Sequence, residues 1–338
     1  MIAVIGVVAI HVFGAMVTDP DIRGSVRWWA AVAIDIGFVW VVPVFVMISG
    51  ALILEPRQYA RGTASFYRRR LVRLLPALVV WSLFYFIVVR TGMTGAAVTP
   101  IDLARFVLDG RPYTHLYFLW LILGLYAVAP VLAAFLAGGG RGRALVFAAA
   151  ALCATVFTGS SASLLTAMGD ARPLTLLALT QWLPYVGYFL AGWALRDVVL
   201  KRGQLAAALV TTVTAIAIAV VQYGLRPRLA LLDAVAPVGY YGPFVALATL
   251  GVFVCMNSML AGWNPGPRGI RVLRELSDSA FGVFLLHFVI MLLIRRVPPF
   301  DGASESLPLS LAEWVITVVV SFGLVWAIRR VPYVRRLV

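Results

Sequence analysis

Ten predominantly apolar runs of 16 or more residues follow one another along a 338-residue chain, joined by short polar connectors. A helix needs about 20 such residues to cross the ~30 Å hydrocarbon core of a bilayer. Inside lipid every backbone group has to bond within its own segment or sheet, and long runs without strict alternation do so as helices, not as barrel strands. The runs fall at 2–17, 29–54, 74–90, 115–136, 144–160, 181–199, 205–224, 241–262, 279–294 and 309–328. With 62% hydrophobic and 12% charged residues, the chain is far from a soluble domain, in which about a quarter of residues are charged. The expected fold class is all-α: a polytopic membrane bundle of about ten helices forming one domain over 1–338, with no soluble domain between the spans.

Charge sets the expected orientation. Counting Lys and Arg in alternate connectors puts 18 of 28 on one side, Arg335 and Arg336 among them, and 10 on the other. The positive-inside rule then places both termini in the cytoplasm. The net charge of +14 thus reflects topology. All but one of the basic residues are Arg, scattered over connectors without an aromatic platform, which argues against nucleic acid as a partner. Cys153 and Cys255 lie within predicted spans, show no metal-ligand spacing with any histidine, and read as packing residues. The Gly-rich stretch 138–143 lacks the Lys-Ser/Thr of a phosphate loop and reads as a turn. Span one has neither a basic leader nor a cleavage site, so it is expected to be retained. It is also short and unanchored by a positive residue, so a start upstream of Met1 is expected.

All three histidines, His11, His115 and His287, sit inside apolar runs. An ionisable group in a bilayer is costly and is by default a functional candidate, and imidazole exchanges protons near neutral pH. In the expected topology His11 and His287 each lie about 15 Å above the cytoplasmic edge of their helices, at mid-membrane. His115 heads a span that runs inward, which puts it in an outer tier with Asp35 and Glu313. Asp35 reads equally as a snorkelling cap or an acceptor contact, and Glu313 as an acid complementing a helix N-terminus.

The densest cationic cluster is Phe66-Tyr-Arg-Arg-Arg-Leu-Val-Arg-Leu-Leu-Pro76. Arg68 and Arg69 read as anchors beside anionic lipid, whereas Arg70 and Arg73, three apart on one helical face, suit phosphate. In VVPVFVMISGALIL, residues 41–54, Pro43 is expected to loosen the span, and Ser49 with Gly50 to permit close helix approach or a substrate groove.

Taken in order, VVAIHVF, VPVFVMISGALIL, RRRLVRLLPALVVWSLFY, HLYFLWLILGLYAVAPVL, WLPYVGYFLAGWAL and LSDSAFGVFLLHFVI resemble the acyltransferase 3 family of integral-membrane O-acyltransferases, almost end to end. The resemblance implies an acyl-CoA, by analogy acetyl-CoA, arriving from the cytoplasm as co-substrate, with no permanently bound cofactor and no metal. The acyl group would pass to a hydroxyl of an envelope or surface sugar, free or lipid-linked, at a multi-pass site in a bacterial cytoplasmic (inner) membrane. It maps the catalytic histidine onto His11, with His287 beside it, and the Arg-x-x-Arg pair onto Arg70 and Arg73. Ser49 joins these on the donor side, and His115 and Asp35 fall on the acceptor side. The family's first helix usually carries an Arg eleven residues before the histidine, a position that here would precede Met1.

The glycerolipid type of acyltransferase is disfavoured, because the fifth residue after each histidine is Met16, Trp120 or Leu292 where that type has Asp. A rival from another class is a transporter or lipid-linked-sugar translocase with the histidines as proton relay, and a non-catalytic sugar-binding protein is a third reading. Acceptor recognition would sit in connectors 91–114, 161–180, 225–240 and 295–308, none of which carries a legible motif.

Overall fold

The computed structural model describes residues 1–332, 334 and 337. Arg335 and Arg336 lie outside the described residues. Among the described residues the regular structure is helical: α1 (Ile2–Thr18), α2 (Val26–Gly37), α3 (Val41–Ile53), α4 (Thr63–Phe84, continued by π-helical turns over Tyr85–Met93), α5 (Pro100–Leu108), α6 (Tyr117–Ala137), α7 (Gly140–Ala167), α8 (Val186–Leu195), α9 (Arg202–Gly224), α10 (Ala230–Val235), α11 (Pro243–Leu260), α12 (Pro267–Ile294) and α13 (Leu307–Ile328). Among the described residues eight helical stretches are long and apolar enough to cross a membrane, one of them α2 and α3 taken together. The two shorter apolar helices, Ile2–Thr18 and Leu183–Leu195, occupy the two remaining predicted positions.

The end of the bundle at which α1 begins is called basal here. Contacts between helix ends fix the alternation. At the basal end Arg196, after α8, pairs with Glu55, after α3 (2.8 Å), and Arg329, after α13, reaches Asp278 early in α12 (3.2 Å). At the other end Trp28, early in α2, donates to the Val17 carbonyl near the end of α1 (3.1 Å). There too Ser163, late in α7, bonds the Asp233 carbonyl of α10 (3.0 Å).

Lipid does not reward burial of apolar side chains as water does, and two helices, α9 and α13, meet their neighbours chiefly through small and polar groups while large apolar ones face outward. On α9 the buried residues are Thr212, Ala215, Ala219 and Gln222, and Val210 and Val213 are exposed. On α13 Ser310, Glu313, Thr317 and Ser321 form the buried stripe, and Val315 and Val319 are exposed. The closest crossing joins α3 to α8. A Cβ at Gly50 would collide with the Phe189 backbone, and one at Gly192 with the Met47 backbone.

Three local expectations change. The break in the second span lies at Phe38–Trp40, and Pro43 sits in the first turn of α3, where no intrahelical donor is lost. Cys255 is buried as a packing residue, but Cys153 faces outward from α7. The connector before α6 does not stay wholly outside the bundle: Gly110, Pro112, His115 and Leu116 are buried, and the connector is tied to the one before α8, where the Leu108 carbonyl accepts from the Ala178 amide (2.8 Å) and the Gln181 side-chain amide donates to the Asp109 carbonyl (3.0 Å). Gly110, at φ +64°, makes the turn, with the Ala178 backbone pressed against it.

Candidate active site

Helix α1 supplies His11, α12 supplies His287, and the inward-folded segment before α6 supplies His115. Their rings meet: the centroids are 5.4 Å apart for His11 and His287, 5.1 Å for His115 and His287, and 6.3 Å for His11 and His115. His11 and His287 stand seven residues before the ends of their helices, about 10 Å from the end opposite the base. The two-tier expectation is thereby corrected for His115. Its span begins two residues later than the apolar run, and the stretch before it dives to the level of the other two imidazoles.

The hydrogen-bonding state of His287 follows from its neighbours. Its Nδ1 faces the carbonyl oxygens of Phe284 (2.7 Å) and Val283 (3.2 Å). Carbonyls only accept, so Nδ1 carries the hydrogen and Nε2 keeps a lone pair, in the manner of an imidazole oriented by its backbone. That Nε2 is buried without a partner, as are both ring nitrogens of His115. Buried polar atoms left unpaired are uncommon and mark places where a missing group is expected to sit. Aromatic rings wall the cluster: Phe288 lies 4.9 Å from His11 and is stacked on His115 at 5.5 Å, and Tyr85 lies 4.9 Å from His115. Tyr85 is itself tied down by a bond to the Leu285 carbonyl (2.8 Å). Among the described residues no three His, Cys, Asp or Glu side chains converge on a point that would hold a metal ion.

Toward the base from the histidines lies a cavity of about 480 Å³, a size typical of small-molecule sites. Its polar lining is Arg70, Arg73, Gln58, Ser49, Tyr126 and Ser277. Arg70, Arg73 and Ser49 thus come together from α4 and α3 on one chamber. Gln58 holds Arg70 by a 2.8 Å bond from Nη2 to Oε1, and the Arg70 guanidinium stands 5.7 Å over the Tyr126 ring, leaving its Nε buried and unpaired. Arg73 is exposed and stands 5.9 Å over Phe281. Arg69 instead bonds Ser65 (2.9 Å) and the Gln58 carbonyl (2.8 Å) and does not line the chamber.

The remaining acids are elsewhere. Asp35 sits beside Tyr240, in a group of phenols from Tyr117, Tyr185, Tyr188, Tyr240 and Tyr241, and not among the imidazoles. Glu313 is fully buried and paired with Arg295 (2.7 Å), whose other nitrogen donates to the Val12 carbonyl (3.1 Å). Its role is to anchor α12 and α13 to α1 one residue from His11, a partnership invisible in a sequence where Arg295 reads as a loop charge.

Sequence reasoning also passed over Gln58, Tyr126, Phe284 and Phe288. Their only signal was position: Phe284 and Phe288 flank His287 at helical spacing, and Gln58 precedes the arginine cluster by one loop. No curated protein and no solved structure matches the chain. The acyltransferase 3 family, described as an acyltransferase domain, matches residues 1–330. The match covers nearly the whole chain, and the chain belongs to the acyltransferase 3 family, a membrane acyltransferase.

Proposed function

We propose that the protein moves an acyl group, acetyl by analogy, from a cytosolic acyl-CoA to a hydroxyl of an envelope or surface sugar in a bacterial cytoplasmic membrane. The observation that carries this reading is one alignment of parts: a chamber with two arginines toward the base, and three imidazoles beyond the phenyl rings at its far end. The excess of basic residues in the basal connectors supports a cytosolic base, and hence a cytosolic donor.

In this reading Arg70 and Arg73 hold the donor's phosphates and so position the thioester, a contribution of binding and orientation. His11 takes the proton from the acceptor hydroxyl as its oxygen attacks the thioester carbonyl. The carbon–sulfur bond breaks, the thiolate leaves, and the imidazolium of His11 returns the proton to it. Ester and free CoA thiol are the products. The His287 lone pair at Nε2, aimed by the two carbonyls on Nδ1, and the unpaired nitrogens of His115 supply acceptors and donors for the hydroxyl. His115 and the Asp35–tyrosine group belong to the acceptor side.

General base catalysis typically contributes about 10²–10⁴-fold. His11→Ala and His11→Gln are therefore expected to lower transfer of label from acetyl-CoA to an envelope sugar fraction by that factor, while labelled CoA is still retained by the purified protein. Unchanged transfer in both variants would remove His11 from the mechanism.

A further inference from the structure

None of the three histidines lines the donor chamber. What separates them from it is a row of phenyl rings: Phe45 of α3 and Phe118 of α6 are 6.0 Å apart, Phe118 and Phe284 of α12 are 5.4 Å apart, and Phe284 lies 5.3 Å from His115. All three phenylalanines line the chamber, and Phe284 alone also touches the imidazole cluster, 6.2 Å from His287 as well. Phenyl rings are common packing in a helix bundle. This row differs in having cavity on one side and reactive groups on the other.

The backbone of Phe284 is held in place, because its carbonyl accepts the 2.7 Å bond from His287 Nδ1. Only its side chain is left to move, by a rotamer change that opens a slot as wide as one ring. A thioester carbonyl has to come within reacting distance of His11, so the acyl end of the donor must lodge where the phenyl row now stands. A methyl beyond the carbonyl asks little room of that row. Each further methylene asks for space that Phe45, Phe118 and Phe284 occupy in a closely packed core, where small volume changes are felt.

We propose that Phe284, backed by Phe118 and Phe45, gauges the length of the donor's acyl chain and so restricts the enzyme to short acyl groups. The inference rests on the acyl-CoA reading of the chamber. It adds that specificity is set at the histidine end, apart from the arginines that hold the phosphates. Phe284 acts here as a specificity-determining wall and takes no part in bond making.

The test compares wild type, Phe284→Ala and Phe284→Leu in detergent, with acetyl-, butyryl- and hexanoyl-CoA as donors and the envelope sugar fraction as acceptor. Retention of labelled CoA is measured alongside. Discrimination by an apolar pocket runs to roughly tenfold or more per methylene. The kcat/KM ratio of hexanoyl- to acetyl-CoA is therefore expected to rise at least about tenfold in Phe284→Ala and by less in Phe284→Leu, in protein that still retains labelled CoA. Phe284→Leu keeps an apolar side chain at the site should the alanine variant not fold. Unchanged ratios in variants that still retain CoA would overturn the gauge and leave the donor chamber standing. A wild-type protein that retains no CoA would overturn the donor reading and the gauge with it.

Discussion

Arg70 and Arg73 share a face of α4 yet stand in different surroundings. Arg70 is partly buried, bonded to Gln58 and stacked near Tyr126, whereas Arg73 is exposed. A pre-oriented guanidinium loses less freedom on binding an anion and keeps its planar fork, which an ammonium cannot reproduce. Arg70→Ala is therefore expected to raise the KM for acyl-CoA about 10–100-fold, with little change in kcat, as for loss of a charged hydrogen bond worth roughly 1.5–3 kcal/mol. Arg73→Ala should cost less, and Arg70→Lys should recover only part; steady-state kinetics with varied donor separates these outcomes. The arginine pair was legible because its spacing is local. His115 was legible as a residue and not as a position, since its depth depends on how residues 109–116 and 176–182 bond to each other across about seventy residues of chain.

Among the elements, α3 and α8 set the tightest tolerance. Each presents a glycine to the other's backbone, Gly50 to Phe189 and Gly192 to Met47, so an added methyl meets main chain and finds no flexible side chain to displace. Ser49 lines the chamber next to that crossing. Gly50→Ala and Gly192→Ala are expected to destabilise the bundle by about 1–3 kcal/mol or more, the range of overpacked cores, and to lower its unfolding temperature in detergent. Gly142→Ala, where a Cβ meets open space, should be silent. Eight of the expected spans could be read from hydropathy because lipid sets a minimum length for them, and the other two, Ile2–Thr18 and Leu183–Leu195, are apolar helices that fall short of it. Two details could not. The break at Phe38–Trp40 has no local signature beyond the later Pro43, and the polar stripe of α13 gains its meaning only when Arg295 is found opposite Glu313.

For the whole molecule, alternation of helix ends turns the charge count into a measurable claim. In a background with Cys153→Ala and Cys255→Ala, Arg61→Cys and Arg228→Cys place a thiol at exposed connectors on opposite ends of the bundle. An impermeant maleimide added to intact cells is expected to label Arg228→Cys alone, and to label Arg61→Cys only after the membrane is opened. The reverse pattern would invert the orientation and move the donor chamber to the outside. Phe45, Phe118 and Phe284 line the chamber on the side of the histidines. On the proposed reading a polar donor enters from one face and meets, in the rings of Phe45, Phe118 and Phe284, a layer that offers an ion no polar foothold. On that reading the layer that meets the acyl end of the donor is also an electrical septum, and an enzyme open to one face for its substrate need not conduct ions to the other.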